Sequence, residues 1–164
     1  MRKDYEIILN LIPENSKVLD IGCSDGELIT YLENKGISAQ GVELSQEKVI
    51  KCLEKGLDVI HGDINLIVED FPFNQFDYCL LTQTIQAVQE PDQLLNTLKK
   101  VSKNIIVSFN NSARLSKISN FLLTGSFDSL LKKANSDHWY NTDYIHPCSI
   151  KDFKKLATDL DLKI

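Results

Sequence analysis

What this chain has little of narrows its class. Its four cysteines (Cys23, Cys52, Cys79, Cys148) are scattered and no two form a C-x-x-C pair, so neither a metal site nor a disulfide framework is expected. No apolar run approaches the length that spans a bilayer. The start, Met1-Arg2-Lys3-Asp4-Tyr5-Glu6, lacks the apolar core of a signal peptide. These absences point to a reduced, cytoplasmic protein away from membranes. A basic excess is also missing: the net charge is −5, which gives no electrostatic footprint for nucleic acid. The pairs Lys99-Lys100, Lys132-Lys133 and Lys154-Lys155 read as solvated helix faces. There is no G-x-S-x-G elbow to supply an acyl-transfer nucleophile.

What is there is an ordinary globular composition, 43% apolar and 25% charged in 164 residues, enough for one domain with a sizeable core. The chain is organised around Val18-Leu19-Asp20-Ile21-Gly22-Cys23-Ser24-Asp25-Gly26-Glu27-Leu28. A short apolar run passes into a loop with two glycines and then into a helical pattern, which is the ligand-binding corner of a doubly wound α/β sheet. The G-x-G-x-x-G of a dinucleotide site fails, because Ser24 and Glu27 stand where glycines should be. No Gly-Lys-Ser/Thr follows, which excludes a P-loop. Asp20 at the strand end would repel a phosphate and attract an ammonium or sulfonium group. S-adenosylmethionine carries both cations and no phosphate, so the corner reads as its site; a strand-turn-helix without a ligand is the plain alternative.

The remaining pattern is a regular alternation. Residues 2–12 form a leading helix (Tyr5, Ile8, Leu9, Ile12) stopped by Pro13, and 27–35 a second helix ended by Gly36. Strand two, 39–44, ends in Gly41-Val42-Glu43-Leu44. Glu43, 23 residues after Asp20, stands where doubly wound folds place an acidic group on the ribose hydroxyls. Ser45 caps a helix to about Lys55, without a capping box because Lys48 occupies its third position. Strand three, 58–61, leads into Gly62-Asp63-Ile64. Strand four, 76–81, exits through the polar run Thr82-Gln83-Thr84-Ile85-Gln86, in the place where this architecture builds its crevice. A helix from Pro91 to about Val101, strand five at 104–109 and a helix at 112–124 (Leu115, Ile118, Phe121, Leu122) follow. The final helix is 150–160, and Leu162-Lys163-Ile164 reads as the start of a sixth strand. The sum is one α/β domain over residues 1–164, a mostly parallel, Rossmann-like sheet with helices on both faces. Its nucleoside-binding half is about 1–90 and its variable substrate or partner segment about 110–148. An uncovered sheet edge would be a pairing hazard, so a partner or a second copy is expected to cover it.

Residues 18–26 resemble motif I of class I S-adenosylmethionine-dependent methyltransferases, D-x-G-x-G-x-G, with Ser24 replacing the middle glycine. The fuller set is more specific. Gly41-Val42-Glu43, Val59-Ile60-His61-Gly62-Asp63, Phe76-Asp77-Tyr78, Gln83-Thr84-Ile85-Gln86-Ala87 and Val107-Ser108-Phe109 stand in the order seen in the MetW family. His138-Trp139-Tyr140-Asn141-Thr142, Ile145-His146 and Asp152-Phe153 complete the likeness over nearly the whole chain. The departures, Asn110-Asn111, Ala113-Arg114-Leu115, Asn141 and Asp143-Tyr144, gather around the presumed acceptor or partner surface.

The resemblance implies a methyltransferase-type fold, a role in methionine biosynthesis, and homoserine O-acyltransferase (MetX) as partner. It implies a cofactor site for S-adenosylmethionine or S-adenosylhomocysteine made by Asp20, Gly22, Cys23, Ser24, Gly26, Glu43, Leu44, Asp63, Ile64, Thr82 and Gln83, with Asp63 meeting the adenine amino group. A turn aspartate capping the next short helix is the other reading of Asp63. If protons must be removed from an acceptor, His138, Tyr140 and His146 are the candidate bases, although each can equally be a loop or turn residue. Three readings stay open: an accessory subunit of the acyltransferase, a free-standing small-molecule methyltransferase, and a non-binding structural domain.

Overall fold

A computed structural model describes residues 1–126 and 145–164. Five parallel strands, β1 (Lys17–Ile21), β2 (Ser38–Glu43), β3 (Val59–His61), β4 (Phe76–Thr82) and β5 (Ser102–Ser108), lie in the order β3-β2-β1-β4-β5. The order reverses between β1 and β4, which opens the crevice of a doubly wound sheet at their carboxyl ends. Alternation along the strands sorts side chains between two cores. Leu19, Ile21, Cys79 and Leu81 enter one core with Leu94, Leu95 and Leu98 of α5 (Pro91–Val101). Val18 and Leu80 enter the other, against α1 (Lys3–Leu11) and α2 (Glu27–Asn34) through Ile8, Leu28, Ile29 and Leu32. Most of these side chains are fully buried, each contributing about 2 kcal/mol of transfer free energy.

Register sets the depth of the chemistry, with Glu43 and Thr82 two residues beyond the row that holds Asp20. Asp20 pairs with Gly41 and with Leu80, Glu43 pairs with His61, and Thr82 pairs with Ser108. Gly41 sits mid-strand because the chain is too close for a side chain: a Cβ there would lie 2.6 Å from Cys23 Sγ and 2.7 Å from Ile29 Cδ1. At the opposite end Asp77 accepts from the Lys17 N–H (2.9 Å) and from Lys103 Nζ (2.8 Å), fastening the starts of β1, β4 and β5 together. The Phe-Asp-Tyr stretch therefore has a structural task.

The helix α3 (Gln46–Glu54) follows β2, with Ser45 at its N-cap but making no side-chain cap bond. A one-turn helix α4 (Ile64–Ile67) follows β3. The helix expected over 112–124 is present as α6 (Leu115–Thr124), but none of its residues is buried, and Leu115, Leu122 and Leu123 are exposed.

The last helix, α7 (Ile150–Asp159), opens with a reciprocal capping box between Ser149 and Asp152. The expected sixth strand at 162–164 does not form. Asp161 takes φ +55°, the Asp161 N–H donates to Thr158 O (3.0 Å), and the Leu162 N–H donates to Ala157 O (2.8 Å). That is a Schellman termination, which spends the tail's first donors on the helix end rather than on the edge of β5. Among the described residues no helix is long and apolar enough to cross a membrane.

Candidate functional site

A cavity of about 670 Å³ lies over the carboxyl ends of β1, β2 and β4. Its floor is the loop Gly22-Cys23-Ser24, which the sequence places between β1 and α2. Gly22 holds φ +72°, and a Cβ there would stand 2.7 Å from Thr84 Oγ1, so only glycine fits under the β4 exit. Thr84 Oγ1 in turn donates to Ile21 O (3.0 Å) and locks the two strand ends together. Ser24 occupies the middle-glycine position and keeps the left-handed conformation that glycine favours, φ +56°. The loop shape survives the substitution, at a conformational cost of about 1 kcal/mol.

Glu43 explains how. Its carboxylate is buried, with 6% of the residue exposed; Oε2 accepts the Ser24 N–H (2.8 Å) and Oε1 the Ser45 N–H (2.9 Å). One acidic side chain thus ties the motif I loop to the start of α3. A carboxylate has about four acceptor positions, so both oxygens keep capacity for a diol.

Of the expected site residues, Gly22, Cys23, Ser24, Glu43, Leu44, Asp63, Ile64, Thr82 and Gln83 line the cavity, with Asp63 and Ile64 following β3 and Thr82 and Gln83 at the end of β4. Asp63 makes the helix cap, its Oδ1 accepting from the Asn65 N–H (2.9 Å), and the residue also lines the cavity. Gln83 leaves β4 with φ +57°, its N–H held by Ser108 O at 2.8 Å.

Asp20 and Gly26 do not line the cavity. Gly26 precedes α2 and packs toward Leu57 and Cys52. Asp20 lies beneath the floor, 1% exposed, with Thr82 Oγ1 at 3.5 Å as its side-chain donor. Burial pushes its carboxyl up to about 7; the Thr82 hydrogen bond and the Arg2 charge oppose the shift, and Glu43 adds to it. Burial likewise raises the Cys23 thiol, so this cysteine contributes surface to the cavity and no thiolate.

Of the candidate bases only His146 lies among the described residues. His146 is outside the cavity lining: the ring Nε2 meets Gln89 O at 3.1 Å and the N–H donates to Gln86 O at 3.0 Å, as a turn residue would. His138 and Tyr140 lie outside the described residues. Among the described residues no group of three or more His, Cys, Asp or Glu side chains could hold a metal ion.

Three charged or aromatic lining residues escape a reading of the sequence, namely Arg2, Tyr5 and Lys48. The first turn of α1 overhangs the cavity, with the Arg2 guanidinium 4.4 Å from the Tyr5 ring centre and held by Asp4. Burial pushes the Tyr5 hydroxyl up to about 12. Only the packing of α1 and α3 in the fold reveals them; no spacing in the sequence does. The cavity therefore presents carboxylates at Glu43 and Asp63, a buried acid beneath, and a guanidinium and an ammonium at the rim.

Comparison with known proteins shows the family and the fold. The family model described as "Methionine biosynthesis protein MetW" matches residues 2–164. A bifunctional methionine biosynthesis protein MetXA/MetW of Rhodopirellula baltica is 32% identical over 98% of the chain, which spans 27% of that longer protein. Among solved structures, a SAM-dependent methyltransferase from Archaeoglobus fulgidus superposes with TM-score 0.69 at 20% identity, over 95% of this chain and 68% of that one. One from Methanosarcina mazei gives 0.70 at 17% identity, over 94% and 82%. At such identities the structures speak for the fold alone.

Proposed function

Because the chain belongs to the MetW family of methionine biosynthesis proteins, we propose that it is an accessory subunit of homoserine O-acyltransferase (MetX) that binds S-adenosylmethionine or S-adenosylhomocysteine in the cavity above β1, β2 and β4. The observation that carries the partnership is the Rhodopirellula relative, in which a MetXA portion and a MetW portion share one polypeptide. Two activities fused in one relative favour association where they are separate chains.

The cavity supports the ligand. Glu43 would hold the ribose hydroxyls while it keeps the Ser24 and Ser45 N–H groups. Asp63 would take the adenine amino group. The Arg2 guanidinium at the rim suits the carboxylate of the methionine part, and the buried Asp20 favours its cationic groups. When bound, S-adenosylmethionine would offer an activated methyl group; this chain's own residues hold and orient it. His146, turned toward Gln89, gives no base at the cavity, which favours sensing over methyl transfer. The free, buried Cys23, Cys52 and Cys79 suit a reducing cytoplasm.

The test is reconstitution. Co-expressed with the homoserine O-acyltransferase of the same organism, the chain should copurify in a fixed ratio and raise acyltransferase turnover. Two proteins that elute separately, with acyltransferase turnover indifferent to this chain, would refute the subunit reading.

A further inference from the structure

One buried polar side chain has no part in the cavity and yet joins three separate stretches. Gln86 is 1% exposed. Its Oε1 accepts the Asn110 N–H (3.0 Å), and its Nε2 donates to the Asn110 carbonyl (3.2 Å). The side-chain amide thus meets both polar groups of one residue's backbone, as a neighbouring strand would. Its own main-chain carbonyl accepts the N–H groups of Ile145 (2.9 Å) and His146 (3.0 Å). A bond from the Ser112 N–H to Cys148 O (3.0 Å) draws the two anchored points together. Both ends of the long excursion between β5 and α7 are therefore fastened to a single residue. That excursion carries α6 with its exposed Leu115, Leu122 and Leu123.

The other side of Gln86 is the cavity. Thr84, Ala87 and Val88, its near neighbours in the chain, line the cavity wall. Ile85 and Val88 are pinned in the core, so the wall has little freedom to move without Gln86. Buried amide bonds are costly to leave unmade, which makes the clasp a stiff joint rather than a loose contact.

We propose that Gln86 is the positioning residue through which an occupant of the cavity and the chain it anchors at Asn110 and at Ile145 and His146 bias one another. The inference rests on the cavity's reading as a nucleoside site. It supplies a route from ligand to the surface on which a partner would act, and a task for the Gln-Thr-Ile-Gln stretch that neither ligand nor catalysis requires.

Amide hydrogen exchange, with and without saturating S-adenosylhomocysteine, tests it. In the unsubstituted protein the ligand should slow exchange at Ser24 and Gln83 in the cavity and also at Asn110, Ile145 and His146, which do not line it. The remote effect should be at least about fivefold, the lower end of ordinary coupling. In Gln86→Met the cavity amides should still respond to ligand and the response at Asn110 should be lost, while Ile145 and His146, held by the Gln86 main-chain carbonyl that the variant keeps, should still respond. Gln86→Glu, which keeps the acceptor and removes the donor, serves where the methionine variant folds poorly and should reduce the remote response. A residue that only supports the fold would raise basal exchange and leave the ligand-induced difference intact. Protection confined to the cavity, or ligand-induced protection at Asn110 that persists in both variants, overturns the proposal. No protection at Ser24 and Gln83 contradicts the reading of the cavity itself.

Discussion

Glu43→Ala should lower the affinity for S-adenosylhomocysteine by about 100-fold or more, since hydrogen bonds to a charged group are worth about 1.5–3 kcal/mol each and 1.4 kcal/mol is tenfold. Two losses combine. The ribose hydroxyls lose their acceptor, and the Ser24 and Ser45 N–H groups lose theirs. The second loss matters because Ser24 is a non-glycine residue in left-handed backbone, and the Glu43 bond is what holds it there. Calorimetric titration measures the total, and a ligand variant separates the parts. With the 2′-deoxy analogue, which presents one hydroxyl fewer, the penalty of Glu43→Ala should shrink. An unchanged penalty would mean that Glu43 acts only through the loop.

Asp20→Asn should remove a large pH dependence of stability. The buried carboxyl titrates near 7, against its ordinary 3.8, so the folded protein holds this proton over a window in which the unfolded chain has released it. Its contribution is therefore full below pH 4, falls as pH rises through 7, and is flat above. Over that window the change amounts to about 4 kcal/mol at most. Asparagine has the same shape and can still accept from Thr82 Oγ1, so the variant should gain on the parent from pH 4 to about pH 7 in denaturant midpoints and hold level above. Parallel stability curves for the two proteins would mean that Asp20 is compensated by a group that this account leaves out. The same titration gives the residue its use: an ionised Asp20 beneath the floor is favoured when a cationic ligand sits above it.

The strand-loop-helix corner was legible because its determinants are local. A short apolar run, glycines at set offsets and acidic residues at strand ends are all visible in a one-dimensional string. Ser24 illustrates the limit of that legibility: its departure from the motif is visible, but the carboxylate that rescues its conformation lies 19 positions away. Arg2, Tyr5 and Lys48 were invisible as site residues because each reads first as part of an ordinary helix. The misread tail has a local cause. Leu162-Lys163-Ile164 has strand-like composition, yet Asp161 turns left-handed and returns its neighbours' N–H groups to α7. Gln86 could be seen as part of a distinctive stretch, whereas its two-sided clasp on Asn110 exists only in the folded chain.

The central claim, that the crevice between β1, β2 and β4 is a working nucleoside site despite Ser24, is tested most directly by titrating the unsubstituted protein with S-adenosylhomocysteine in a calorimeter. Saturable heat with one ligand per chain is expected, with affinity that survives moderate salt because the Glu43 carboxylate that would hold the ribose is buried and little screened. A flat titration at millimolar ligand, from protein whose folding is verified by a cooperative melt, would contradict it.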